Sequence, residues 1–183
     1  MKKHLIIIPG IGDDHFIYRL GVVAFRLLGF SPQVYVFGWD DNDPETYSKK
    51  YIALTETLAG LDGQRYILGV SAGGSVASTV ALLTPDLVTK VVTLCAPLTP
   101  FKSPVNPLLE VSLRQNSMQL QQYKPYVENI VSLHAHRDEV VPIQLSKPPQ
   151  IQTHTMPSIL HVPSIVFGLT IYAPVVAHFL KQR

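Results

Sequence analysis

Tyr66-Ile-Leu-Gly-Val-Ser-Ala-Gly-Gly-Ser-Val-Ala-Ser-Thr-Val80 is the stretch of sequence that decides the fold. An apolar run leads into a cluster of very small residues, and a segment able to form a helix follows. Within the cluster, Gly69-Val70-Ser71-Ala72-Gly73 has the G-x-S-x-G pattern of a sharp turn from a strand into a helix. Such a turn projects the Ser71 hydroxyl clear of the sheet and leaves no room for a Cβ at the two glycines. The pattern predicts a nucleophilic serine; the alternatives are a turn that only packs tightly or one that binds phosphate.

Strand-like and helix-like segments alternate on both sides of this turn, which is typical of a parallel sheet flanked by helices. Strands are predicted at residues 5–8, 33–37, 65–70, 90–95, 129–134 and 151–155, and helices at residues 16–28, 44–61, 72–83, 108–122 and 164–181. In the first helix, Ile17, Leu20, Val23 and Leu27 recur at helical spacing. We therefore predict an α/β fold with three layers and a six-stranded parallel sheet, in a single domain over residues 1–183.

Composition fits a globular domain without a nucleic-acid footprint. Apolar residues make up 46% and charged residues 15%, and the net charge is +2. No basic run exceeds two residues, which argues against nucleic acid as a partner. The single cysteine, Cys95, excludes an internal disulfide and predicts a reducing, cytoplasmic location. The apolar run that ends at Pro9 is too short for a signal peptide, and we expect no membrane span.

Further candidate residues follow the other predicted strands. In open parallel sheets, ligands bind beyond the carboxyl ends of the strands. Gly10-Ile11-Gly12 follows the first strand, and its bare backbone can turn N–H groups toward a ligand. Asp138 and Glu139 follow the fifth strand, and His161 follows the sixth. Together with Ser71 they give the order glycine loop, serine, acid, histidine at one edge of the sheet.

Each of these candidates has competitors. Asp138 is favoured as the acid, although a shift of one residue would exchange it with Glu139. His161 alone lies between a strand and the final helix. Structural or surface roles are typical of the positions of His4, His154 and His178. His15 follows the glycine loop and could line the site, and His134 or His136, at the end of the fifth strand, could lie near the acid without acting as the base.

Cofactor motifs are weak or broken. Asp40, Asp41 and Asp43 fit capping and turn chemistry better than a metal site. A dinucleotide fingerprint would need a third glycine at position 15, where His15 stands, and there is no Walker sequence. We therefore expect no metal and no cofactor.

On these residues the chain resembles the α/β-hydrolase superfamily, in which nucleophile, acid and histidine follow in that order. Residues 10–12 and 69–74 are similar to the corresponding segments of small bacterial lipases and esterases without a cap domain, and the resemblance covers nearly the whole chain. It implies the sheet order 2-1-3-4-5-6, and its implied site residues are Ser71 as nucleophile, Asp138 as acid, His161 as base, and the N–H groups of Ile11 and Ala72 as oxyanion hole. Two departures are Pro9-Gly10, where the family often has His-Gly, and Leu160, where a glycine commonly precedes the histidine.

The function implied by this resemblance is hydrolysis of an ester or thioester of a small to medium acyl substrate. Gly10, Gly12 and His15 are expected to line the substrate cleft, although capping or a surface position is the alternative for His15. The segment between Cys95 and Asn129 is too short for a cap domain. We predict that the short helix in this segment roofs an open cleft and carries Leu109, Leu113, Met118 and Leu120. The alternative is that these residues pack down on the sheet. An acyltransferase and a non-catalytic binding module remain alternatives.

Overall fold

A computed structural model describes residues 1–12, 15–41, 43–102 and 106–182, and of His15, Lys124 and Pro125 the backbone alone. In this part of the chain the strands are β1 (Lys3–Ile8), β2 (Ser31–Val34), β3 (Gln64–Val70), β4 (Lys90–Leu94), β5 (Ile130–Arg137) and β6 (Gln152–Ile159). The helices are α1 (His15–Leu27), α2 (Tyr47–Ala59), α3 (Gly73–Leu83), α4 (Pro107–Gln122), α5 (His161–Leu169) and α6 (Ala173–Lys181). All strand pairs are parallel, and their order is β2-β1-β3-β4-β5-β6. The predicted sheet and its order are confirmed.

Helices cover both faces of the sheet. α2, α3 and α4 pack on the face that carries Ile6 and Ile8 of β1, and α1, α5 and α6 pack on the face that carries Leu5 and Ile7. All four side chains are buried, which explains why this strand is a continuous apolar run. Full burial of each contributes about 1.5–3 kcal/mol. The predicted three-layer architecture is confirmed.

The prediction of one final helix over residues 164–181 is wrong. α5 begins earlier, at His161, and α6 follows after a break with a bend of 69°. Pro174, in the first turn of α6, lacks an N–H group and would clash with the preceding turn of a continuous helix. In the described residues no single helix is long and apolar enough to cross a bilayer; the bent pair α5 and α6 meets that criterion by length and composition alone.

Smaller differences concern the ends of strands and the orientation of α1. β2 lies at Ser31–Val34 rather than at residues 33–37, and β5 runs on to Arg137, so that His134 lies within it. The helical spacing in α1 is borne out, but Leu20, Val23 and Leu27 are exposed. The core side of α1 is formed by Tyr18 and Phe25, which are buried.

Candidate active site

Ser71 lies in the turn between β3 and α3, in strained backbone geometry. Its φ is +50°, in the left-handed region that non-glycine residues rarely adopt. Its N–H donates to the carbonyl oxygen of Leu94 at 2.9 Å, which ties the turn to β4. A Cβ on Gly73 would lie 2.2 Å from the carbonyl oxygen of Ile8, and one on Gly69 would lie 2.7 Å from the carbonyl oxygen of Gly73. The glycines are required because three backbone segments meet closely at this turn.

The turn presents Ser71 to a histidine and a carboxylate from two other segments. Oγ of Ser71 is 2.9 Å from Nε2 of His161, and Nδ1 of His161 is 2.8 Å from Oδ2 of Asp138. The side chains of His161 and Asp138 are only 7% and 3% exposed. The structure thus brings together the three residues singled out in the sequence. A hydroxyl, an imidazole and a carboxylate in this line can move the hydroxyl proton to the ring.

Asp138 is held in its ionised form by its neighbours. Burial alone would raise the pKa of Asp138, but hydrogen bonds from His161 and from the N–H groups of Val141 and Val140 hold the pKa below its ordinary value. The two N–H groups donate to Oδ1 at 2.8 Å and 3.0 Å. Because the loop after β5 binds Oδ1, the other oxygen, Oδ2, accepts the hydrogen bond from the histidine ring.

Glu139, the competitor of Asp138 in the sequence, makes a different contact with the same histidine. Its Oε2 accepts a hydrogen bond from the backbone N–H of His161 at 2.9 Å. His161 is the first residue of α5, so the carboxylate satisfies a free N–H at the helix N-terminus and interacts favourably with the helix dipole. The preceding Leu160 has φ +70°, which glycine adopts without strain, and this accounts for the glycine common at that position in the family. Glu139 thus positions the backbone of His161, a role that the sequence pattern did not reveal.

The glycine loop after β1 lies directly over the serine. A Cβ on Gly10 would be 2.7 Å from Cβ of Ser71, so the loop backbone approaches the serine as closely as a glycine allows. The N–H of Gly10 donates to the hydroxyl of Tyr18 at 3.3 Å, and the carbonyl oxygen of Pro9 accepts a hydrogen bond from the indole N–H of Trp39 at 3.0 Å. These two aromatic side chains anchor the loop. Sequence reasoning missed both, because neither contact has a local signature.

Two lobes of the cleft meet at Ser71 and His161. The larger lobe has a volume of about 330 Å³ and includes Ile11 and Ala72, and the smaller has about 190 Å³ and includes Ile11, Gly10 and Gly12. The apolar side chains around them are Pro97, Phe101, Leu109, Val140 and Val141 in the larger lobe and Ile17, Tyr18, Val162 and Ile165 in the smaller. Of the expected cleft residues, Gly10 and Gly12 line the smaller lobe, and the side chain of His15 lies outside the described residues.

α4 contributes one side chain to the cleft. Leu109 lines the larger lobe, whereas Leu113 and Leu120 are buried in the core on that face of the sheet and Met118 is exposed. The predicted roof over the cleft is therefore wrong for most of α4, which packs on the sheet as the alternative had it. Within α4, only the N-terminal turn borders the site.

His134, the buried histidine of β5, belongs to the scaffold rather than to the site. Its Nε2 is 2.8 Å from Oγ1 of Thr155. Burial, together with the charges of Lys147 and His154, lowers the pKa of His134 to about 4, so the ring stays neutral. Three other histidines contact groups away from Ser71: His4 with Asp62, His154 with Tyr172, and His178 with Gln182.

The aspartates considered as a metal site and the single cysteine have contacts typical of structural roles. Asp43 accepts a hydrogen bond from the N–H of Glu45 at 2.9 Å, and Asp41 accepts one from the N–H of Asp43 at 3.2 Å, as expected of capping and turn residues. Among the described residues, no group of three or more His, Cys, Asp or Glu side chains could hold a metal ion. Burial, with the nearby charge of Asp138, raises the pKa of the Cys95 thiol to about 12, so this buried group stays protonated.

Comparisons with known proteins agree with this fold. A family model described as the alpha/beta hydrolase family matches residues 5–158, and the chain belongs to that family. It is similar to a pyrethroid hydrolase from Sphingobium faniae JZ-2 (17% identity, 100% of this chain and 98% of that chain, TM-score 0.70). Other similar structures are Est1E from Butyrivibrio proteoclasticus (16%, 97% and 86%, 0.69) and a Paleococcus ferrophilus monoacylglycerol lipase (12%, 97% and 93%, 0.67). At these identities the likeness shows the fold. No curated protein sequence matches the chain.

Proposed function

We propose that the protein is a serine hydrolase that cleaves carboxylic esters or thioesters of small to medium acyl groups through an acyl-enzyme. The observation that carries the proposal is the continuous line of contacts from Ser71 Oγ to His161 Nε2, at 2.9 Å, and from His161 Nδ1 to Asp138 Oδ2, at 2.8 Å. No cofactor takes part in the proposed reaction.

In the first half-reaction, Oγ of Ser71 attacks the substrate carbonyl carbon while Nε2 of His161 takes the hydroxyl proton. The N–H groups of Ile11 and Ala72 receive the oxyanion that forms, and each such donor is typically worth about a hundredfold or more in rate. Asp138 keeps the proton on Nδ1 and stabilises the imidazolium. The bond to the leaving alcohol or thiol then breaks, and His161 returns its proton to that group.

In the second half-reaction, water attacks the acyl carbon and gives a proton to Nε2 of His161. The bond from Ser71 Oγ to the acyl carbon breaks, the carboxylic acid leaves, and the serine recovers its proton from the ring. An alcohol in the place of water would make the same acyl-enzyme an acyltransferase. Analysis of the product with water as the only acceptor distinguishes these outcomes.

The size and lining of the two lobes favour acyl and alcohol groups of modest size. Both are walled mainly by apolar side chains, and their volumes of about 330 and 190 Å³ are at the small end for ligand sites. Two of the similar structures are named a pyrethroid hydrolase and a monoacylglycerol lipase, which supports an ester as the substrate here. The lone, buried Cys95 supports the proposed cytoplasmic location.

The proposal is tested with p-nitrophenyl esters of increasing chain length. Ser71→Ala is expected to lower kcat/KM at least about 10⁴-fold, because no other hydroxyl replaces the nucleophile. Ser78→Ala is the matched control: in the described structure its Oγ is buried without a hydrogen-bond partner, and kcat/KM should stay within about threefold. Turnover by Ser71→Ala close to that of the wild type would refute the proposal. A wild type without turnover on any of the esters would favour the non-catalytic alternative.

A further inference from the structure

The outer face of α1 carries an apolar stripe that faces away from the core. Phe16, Leu20, Val23 and Leu27 recur every three or four residues and are 68%, 40%, 55% and 83% exposed. Side chains at this spacing lie along one side of a helix. The core side of α1 is already formed by other residues, among them the buried Phe25. A contiguous second apolar face of this kind marks an interaction surface.

Positive charge borders the stripe. Arg19 and Arg26 are exposed on α1, and the sequence of this helix contains no Asp or Glu. Nζ of Lys181 donates to the carbonyl oxygen of Leu28 at 2.9 Å, which adds a cation at the C-terminal end of α1. The acidic residues 13–14 precede α1 and lie outside the described residues. An apolar helix face flanked by basic side chains is typical of helices that lie on anionic lipid.

The stripe begins beside the mouth of the candidate active site. Ile17, the residue after Phe16, lines the smaller lobe together with Val162. Val162 and Ile11 are themselves 54% and 43% exposed, so apolar surface continues from α1 to the rim of the cleft. A lipid surface can contact the stripe and this rim together, whereas a partner helix laid along α1 would cover the stripe alone.

A second copy of the chain matches this surface less well. If two α1 stripes packed antiparallel about a two-fold axis, Phe16 of one copy would face Leu27 of the other. Arg19 of one copy would then lie beside Arg26 of the other, twice in each dimer. Like charges at such close range oppose the pairing.

We infer that α1 docks the protein on an anionic lipid surface, with the stripe inserted among the lipids and Arg19 and Arg26 at the headgroups. The inference rests on the proposed function for its substrate class, which is an ester carried by a lipid of that surface. The smaller lobe then opens toward the lipid, and such a substrate reaches Ser71 without crossing bulk water. The cytoplasmic leaflet of membranes carries negative charge, which matches the basic border of the stripe.

Docking is measured by co-sedimentation with vesicles of phosphatidylcholine, either alone or containing about one-third phosphatidylglycerol. Ser71→Ala protein is used, because it leaves the lipid intact and separates binding from the serine chemistry. We expect at least tenfold tighter partitioning onto the anionic vesicles. Leu20→Gln with Val23→Gln should weaken it at least about tenfold. Arg19→Gln with Arg26→Gln should weaken it about 25-fold, since a basic residue near an anionic surface is worth about fivefold.

The matched control replaces two apolar residues of similar exposure on the other side of the sheet. Ile52 and Met118, in α2 and α4, are 54% and 52% exposed, and Ile52→Gln with Met118→Gln should leave partitioning within about twofold. Thermal unfolding of every variant checks that it is folded. If the wild type hydrolyses no ester but the vesicle results hold, docking stands and the proposed function fails.

Three results would overturn the inference. The first is no partitioning onto the anionic vesicles. The second is an equal loss of partitioning in the variant Leu20→Gln with Val23→Gln and in the control Ile52→Gln with Met118→Gln. The third is a wild type that binds no vesicles but forms a dimer, together with loss of that dimer in the variant Leu20→Gln with Val23→Gln. That last result would assign the stripe to self-association instead.

Discussion

Replacing Asp138 by Asn changes one atom of the site, and the contacts of the carboxylate decide how the new side chain must lie. The N–H groups of Val140 and Val141 donate to Oδ1 at 3.0 Å and 2.8 Å, and an amide retains an oxygen acceptor for them. The amide NH₂ of Asn then points at Nδ1 of His161, which must be unprotonated to accept its hydrogen bond. The ring proton moves to Nε2, where it faces Ser71 as a donor and cannot take the hydroxyl proton.

The size of this effect follows from what is lost. The hydroxyl, the oxyanion donors and the cleft remain, but the base is in the wrong tautomer and its imidazolium has lost the adjacent negative charge. A catalytic histidine held in the wrong tautomer lowers kcat by about 10³–10⁴-fold, which corresponds to a loss of about 4–5.5 kcal/mol of transition-state stabilisation. We therefore expect Asp138→Asn to lower kcat/KM by that factor with little change in thermal stability.

The control for Asp138→Asn is Glu139→Gln, which removes the same charge at the next position. The Gln oxygen can still accept the hydrogen bond that Oε2 of Glu139 receives from the N–H of His161 at 2.9 Å, so kcat/KM should stay within about fivefold. Both variants are assayed on one soluble p-nitrophenyl ester at saturating and limiting concentrations. A loss below tenfold in Asp138→Asn, or equal losses in the two variants, would refute the reasoning about the tautomer.

Two further substitutions test the scaffold of the site. Gly73→Ala would bring a Cβ within 2.2 Å of the carbonyl oxygen of Ile8. We therefore expect the unfolding free energy to fall by several kcal/mol and kcat/KM to fall at least about a hundredfold. The control is Gly60→Ala, whose Cβ would have ordinary contacts and which should change neither quantity. The low pKa of His134, about 4, means that the unfolded chain binds its proton near pH 6.5 while the folded protein does not. His134 therefore destabilises the fold as pH falls from about 6.5 to 4, by at most about 1.4 kcal/mol per pH unit, and this effect fades above pH 6.5. His134→Gln, which keeps a partner for Thr155, should remove that part of the pH dependence in urea unfolding; an unchanged slope would contradict it.

The alternation of strands and helices predicts the parallel sheet, and the positions of Ser71, Asp138 and His161 after three of the strands predict that they meet at one edge. The order of the strands is implied by the resemblance to the α/β-hydrolase superfamily. The sequence does not predict which side of α1 faces the core. Apolar residues lie on nearly every side of this helix, so periodicity indicates the helix without choosing its buried face. Phe25 is buried while Leu27 is 83% exposed, a difference that tertiary packing alone decides.

The supporting contacts of the site show the same limit. Tyr18 and Trp39 reach the glycine loop from 8 and 30 residues away, and Glu139 reaches His161 across 22 residues. No local pattern marks such contacts, since they depend on how β1, β5 and α1 are packed. The sequence does indicate the break before α6, because Pro174 interrupts an otherwise apolar helical pattern.

The most direct test of the central claim is the covalent reaction of Ser71 with a fluorophosphonate. The hydroxyl oxygen attacks phosphorus and fluoride leaves, so the intact mass rises by one phosphonyl group and peptide mapping locates it. We predict stoichiometric labelling of the wild type at Ser71, labelling at least a hundredfold slower in Asp138→Asn, and none in Ser71→Ala. An unmodified wild type, or a label that survives in Ser71→Ala, would contradict the claim that this serine is the activated nucleophile.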